Sequence, residues 1–127
     1  MNIEKFTTKS REALFNAKSA AESANNPELH PLHLLAALLD DPDNLVNSIL
    51  GKLGVNKELF RGKTASALAE LPRLANPVPG EISLSREFNA VLNGAMKKAA
   101  GMGDEYVSVE HLLLGILAPA GDTDEEV

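Results

Sequence analysis

Apolar residues recur along this chain at spacings of three and four, and sustained alternation is absent, so amphipathic helices rather than strands are predicted. Six helices follow from the spacing. The first covers residues 8–24 behind Thr7 as N-cap, with Ala13, Leu14, Ala17, Ala20, Ala21 and Ala24 on its buried face. Asn25-Asn26-Pro27 ends it. The second opens at Pro31, a residue suited to a first helical turn whose N–H has no partner, and buries Leu34, Leu35, Leu38 and Leu39 before stopping near Asp41-Pro42. The third covers 44–53, with Leu45, Ile49, Leu50 and Leu53 inward and Gly54 as its left-handed stop. The fourth covers 57–70 and halts before Pro72. Pro72, Pro77, Pro79 and Gly80 interrupt both helix and strand, so residues 72–84 read as a linker. Ser85 caps the fifth helix, which turns Phe88, Val91, Leu92, Ala95, Ala99 and Met102 to one side, and Ser108 caps the sixth, 109–117. Residues 119–127 have loop composition, although Asp122-Thr-Asp-Glu-Glu would suit the first turn of another helix.

Sliding the chain against itself by 78 positions lays the first helix on the fifth and the second on the sixth without a gap. Leu14 meets Leu92, Ala17 meets Ala95, Ala21 meets Ala99, and His33-Leu34-Leu35 meets His111-Leu112-Leu113. The caps coincide as well, Thr7 on Ser85. The expected architecture is therefore all-α: a duplicated helical repeat, residues 3–71 and 85–118, joined by the linker 72–84 within one domain, 1–127, and packed about an approximate two-fold axis. The second copy runs out after two helices, from loss of its last two or from cutting of a longer chain. Leu113, Ile116 and Leu117 are therefore expected to lack part of their cover.

Composition narrows the function without naming it. The chain has no cysteine, which removes disulfides and thiolate metal sites and fits a reducing, cytoplasmic setting. No apolar run is long enough to span a membrane. The formal net charge is -6, and it is uneven: residues 1–75 carry nine basic and nine acidic side chains, residues 76–127 three and nine. That balance argues against nucleic acid as a partner.

Candidate chemistry is thin. His30-Pro-Leu-His33 has a two-residue gap, but zinc needs further ligands that the sequence does not supply. His33 and His111 occupy equivalent places one turn into a helix, where the positive dipole end disfavours imidazolium, so both read as neutral, hydrogen-bonded structural residues. Gly62-Lys63-Thr64 lacks the earlier glycine of a phosphate loop and falls inside a helix. No Gly-x-Ser-x-Gly elbow exists, and Asp40-Asp41 sits at a helix end, where solvation is the ordinary reading. No enzyme activity, cofactor or metal is expected. What remains is a surface: Thr7 opens the first helix, while Asp104 and Glu110 flank the loop into the sixth, within reach of one seam.

The paired units, Phe6-Thr7 with His30-Pro-Leu-His-Leu-Leu-Ala-Ala-Leu-Leu, and Leu84-Ser85 with Gly103-Asp-Glu-Tyr-Val-Ser-Val-Glu-His-Leu-Leu-Leu-Gly-Ile-Leu, resemble the N-terminal domain of the Clp family of AAA+ unfolding chaperones. The likeness covers residues 3–118, and Pro31-Leu-His-Leu-Leu with Leu71-Pro-Arg is more similar to the ClpB branch than to ClpA or ClpC. The resemblance implies a substrate-recognition module that binds exposed apolar or unfolded polypeptide for an ATP-driven pore encoded elsewhere. It implies unfolded or aggregated protein clients, a monomeric isolated domain and a hexameric parent. The alternatives are a docking platform for a folded adaptor and a structural cap without client contact. In similar domains the positions of Thr7, Asp104 and Glu110 engage substrate. Apolar residues beside them, Leu92 first, then Val91, Tyr106 and Val107, would complete the patch, and the two acids would favour clients carrying Lys or Arg. Gly94 stands where the family often has a larger apolar residue, leaving a gap there.

Overall fold

A computed structural model describes residues 3–76 and 82–120. Six α-helices carry it: α1 (Thr8–Ser23), α2 (Pro31–Asp40), α3 (Leu45–Lys52), α4 (Lys57–Ala69), α5 (Arg86–Gly101) and α6 (Val109–Leu117). Thr7 and Ser85 cap as expected, Ser108 precedes α6 without a side-chain bond to a first-turn amide, and Asn44 and Asn56 are caps that the sequence reading did not name. Thr7, Asn44, Asn56 and Ser85 each accept an amide hydrogen from the first turn of the helix they precede. A single turn of 3-10 helix, Ile3–Lys5, precedes Thr7.

Two helical hairpins, α1 with α2 and α5 with α6, form the body, and α2 and α6 cross between them, with α3 laid on α6 and α4 on α2. One continuous core results, with Phe6, Leu34, Leu38, Phe88 and Leu112 at its centre. The duplication is visible in the hydrogen bonds. The Thr7 amide donates to the Val107 carbonyl at 3.0 Å, and the Ser85 amide, 78 residues later, donates to the Leu29 carbonyl at 3.1 Å. Each unit thus ties the start of its first helix to the other unit's chain just before its second helix. Left-handed backbone recurs at the same offset, at Asn25 (φ 59°) and Gly103 (φ 73°), where each first helix must reverse.

Those ties add two short strand contacts to the expected all-α architecture. Glu28–Leu29 (β1) and Ser83–Leu84 (β2) pair in parallel, and Phe6 bridges Val107 in the equivalent place. Residue 83 lies in the stretch read as linker. Two-residue strands are too short to show alternation, and the backbone ahead of each N-cap is extended and needs partners. Pro77, Pro79 and Gly80 lie outside the described residues, as do 121–127 and the helix expected there.

Three burial expectations change. On α3 the inward residues are Val46, Asn47 and Leu50, whereas Leu45 and Leu53 face solvent. The reason is polar: Asn47 Nδ2 donates to the carbonyls of Leu39 at 3.1 Å and Asp41 at 2.8 Å, and so rolls the helix about its axis. Ala20 and Met102, expected inward, are exposed near helix ends. Leu113 is covered, with α3 packed on its helix, Ile116 is half-buried, and Leu117 is 71% exposed, the one of the three that lacks cover.

Candidate functional site

The parallel bridge between Phe6 and Val107 builds the site. Val107 N–H donates to the Lys5 carbonyl at 2.7 Å and the Val107 carbonyl accepts from Thr7 N–H at 3.0 Å, so Thr7 lies directly beside Val107 and one residue from Tyr106. Thr7 is held as a cap: its Oγ1 accepts from the Ser10 amide at 3.2 Å and donates to Ser10 Oγ at 3.0 Å. Arg11 Nε, one turn on, donates to the Phe6 carbonyl at 3.1 Å.

The loop from Asp104 to Glu110 is fixed by His111. Its Nδ1 accepts from the Ser108 amide at 2.9 Å, which leaves the ring proton on Nε2, and Nε2–H donates to Asp104 Oδ2 at 2.8 Å. Asp104 therefore orients the loop while its side chain remains half exposed. Glu110 sits in the first turn of α6, where a carboxylate is favoured by the helix dipole.

The first unit repeats this device with a neutral partner. His33 Nδ1 accepts from the His30 amide at 2.9 Å and its Nε2–H donates to Asn26 Oδ1 at 2.9 Å. Burial pushes the His33 pKa below its ordinary value. His30 Nδ1 accepts from the Leu32 amide at 3.1 Å. Both rings near the gap that invited a metal reading are thus engaged in capping α2. Among the described residues no cluster of three or more His, Asp or Glu is placed to hold a metal ion.

Of the expected site residues, the bridge brings Thr7, Tyr106 and Val107 together, and the Asp104–His111 bond ties Asp104 to the first turn of α6, the turn that also carries Glu110. Tyr106 is 49% exposed, whereas Leu92 and Val107 are each 4% exposed and lie under the surface with Val91. The gap expected at Gly94 is filled: a Cβ there would meet the Ala118 carbonyl oxygen at 2.8 Å, because the chain after α6 folds back over α5 and Ala120 N–H donates to the Ala90 carbonyl at 2.9 Å. Sequence reading missed Asn26. The signal was present, since the offset of 78 places Asn26 on Asp104 as it places His33 on His111.

This double helical unit with interlocked halves defines a small helical repeat domain, and comparison gives it a family. Residues 5–124 match the profile of the Clp repeat (R) N-terminal domain. The chaperone protein ClpB of Mycobacterium leprae is 42% identical over 118 residues, 93% of this chain but 14% of that protein. The crystal structure of the Hsp104 N-terminal domain from Candida albicans superposes with a TM-score of 0.82 at 29% identity, over 91% of this chain and 75% of that one. A ClpV N-domain in complex with a VipB peptide shares the fold at 22% identity and a TM-score of 0.76, over 91% and 69% of the two chains. The chain belongs to the Clp repeat N-terminal domain family. It spans about 14% of the length of the ClpB proteins it matches first. No helix among its described residues is long and apolar enough to cross a membrane.

Proposed function

We propose that this domain captures exposed apolar or unfolded polypeptide and presents it to the ATP-driven pore of a ClpB-type disaggregase, in the cytoplasm. The reading is carried by the Phe6–Val107 bridge, which sets Thr7 beside the exposed Tyr106 at the loop that bears Asp104 and Glu110. One aromatic face and two carboxylates make a shallow edge that suits a segment with an apolar side chain next to Lys or Arg. Apolar burial contributes about 25 cal/mol per Å2, and ordering a flexible client offsets much of it. Weak, fast-exchanging binding follows. Leu92 and Val107 are buried and offer no surface to a client.

Docking of a partner segment in place of unfolded clients is the second reading, supported by the VipB peptide seen on the ClpV N-domain. Titrating the labelled domain with an unfolded polypeptide separates the two: graded shifts at Thr7, Tyr106 and Glu110 with many sequences support capture, and response to a single defined segment supports docking.

Asp104→Asn combined with Glu110→Gln is the informative variant, because Asn26 shows that an asparagine serves the same histidine contact. Binding of a Lys-rich unfolded client is expected to weaken about three- to tenfold, the size of one or two exposed ion pairs. Thr7→Arg is expected to weaken it similarly and to lower stability by about 1 kcal/mol through the lost cap, with Thr7→Ser as the control that keeps the cap. If both variants melt cooperatively and bind like the parent, the site assignment fails.

A further inference from the structure

The operator that relates the two units also relates their surfaces. At the offset of 78, Leu92 and Val107 of the expected capture site correspond to Leu14 and Leu29. Around that second pair, itself as buried as the first, lies a groove of about 340 Å3 whose accessible apolar lining comes from Ile3, Phe15, Ile82 and Leu84, above the buried Leu14, Leu29 and Phe88. Phe15 is 70% exposed, an aromatic ring on α1 without cover. The rim is basic. Arg11 and Lys18 line the groove from the same helix, with Leu14 and Phe15 between them. Neither enters an ion pair among the described residues. Asn89 and Met96 occupy the equivalent places in the second unit, so the basic rim belongs to the first unit alone.

We propose that this groove is a second docking site, taking an acidic polypeptide segment that seats a Leu or Phe side chain between Phe15 and Ile82 and sets its carboxylates against Arg11 and Lys18. The two units would then read opposite charge patterns, the Asp104–Glu110 edge preferring basic clients and the groove acidic ones. Exposed ion pairs contribute little each, so apolar burial supplies the affinity and the rim supplies the selectivity. The site stands on the groove's own geometry and does not depend on the capture edge described above.

The test is an amide-shift titration of the labelled chain with two short unstructured peptides that share the same Leu and Phe residues, one spaced by Glu and the other by Lys. The Glu peptide is expected to move the amides of Phe15, Lys18 and Ile82. Its affinity should fall about fivefold in Lys18→Glu, the loss of one rim pair, and about tenfold in Phe15→Ser, the loss of the aromatic wall. Both side chains are exposed, so an unchanged melting curve verifies each fold. Shifts by the Glu peptide at Phe15, Lys18 and Ile82 without shifts at Tyr106 and Glu110 separate this site from the capture edge. Equal binding of the Lys peptide, shifts confined to Tyr106 and Glu110, or parent-like affinity in Phe15→Ser overturns the proposal. So does binding that emerges only after residues 121–127 are removed, since that would assign the groove to the chain's own acidic segment.

Discussion

Position 26 holds an asparagine that acts in two directions. Its Oδ1 accepts from His33 Nε2 and its Nδ2 donates to the Pro72 carbonyl at 2.8 Å, fastening the chain beyond α4 to the end of α1. At the equivalent position 104 a carboxylate holds His111. His33 gives the fold a pH response. His33 is held neutral by burial, its folded pKa below the ordinary 6.5, so the unfolded chain takes up its proton first as pH falls. Stability from this group is complete above 6.5 and declines as pH drops through the folded value. In Asn26→Asp the new carboxylate favours the protonated ring, so the acid-side decline should flatten. The same change removes the bond to Pro72 and should cost about 1–3 kcal/mol at neutral pH. Denaturant midpoints across pH for parent and variant measure both effects, and parallel profiles would refute the first. The histidine pair was legible from its repeat. The asparagine was not read, because one residue in a turn-forming Asn-Asn-Pro stretch already has a sufficient local explanation.

Helices report their packing through their glycines. In α6 a Cβ on Gly115 would stand 2.3 Å from the Val91 carbonyl oxygen and 2.9 Å from the Ala95 amide nitrogen, so α5 and α6 touch backbone to backbone there. Gly62 in α4 has nothing within 4 Å of the same added atom. Opposite signs follow for one substitution. Gly115→Ala should destabilise by about 1–3 kcal/mol, the range for overpacking, and Gly62→Ala should stabilise by about 0.5–1 kcal/mol, the ordinary gain of replacing glycine inside a helix. Chemical denaturation of the two variants decides it, and a stable Gly115→Ala would mean that the hairpin is looser than its geometry. Sequence periodicity located both helices, since 3.6-residue spacing is a local property. It misjudged which side of α3 turns inward, because a buried amide reaching the last carbonyls of α2 is a contact between helices.

At the scale of the whole molecule, the two units are interlocked rather than merely adjacent. The amides of Thr7 and Ser85 each end on a carbonyl of the other unit, and the short parallel pairs at Phe6–Val107 and Leu29–Leu84 surround them. Opening one unit alone would strip these bonds from both. The amides of Thr7 and Ser85 are therefore expected to exchange with solvent together, at the slow rate set by global unfolding. Hydrogen exchange followed by NMR measures this, and rapid exchange at one of the pair would show that the units open separately.

The amino-acid sequence by itself determined six helices, the caps Thr7 and Ser85 and the duplication, because each is written in local spacing or in self-similarity along the chain, while the family was legible from the resemblance of the paired motifs. Tertiary structure decided what those helices present. It placed Leu92 and Val107 and their counterparts Leu14 and Leu29 beneath the surface, closed the space at Gly94 with the returning chain, and left Ile3 and Phe15 exposed around a groove in the first unit. A leucine stripe is equally compatible with core and with surface until its neighbours are known. Which stripe is covered depends on contacts between residues distant in sequence, and helical periodicity does not encode them.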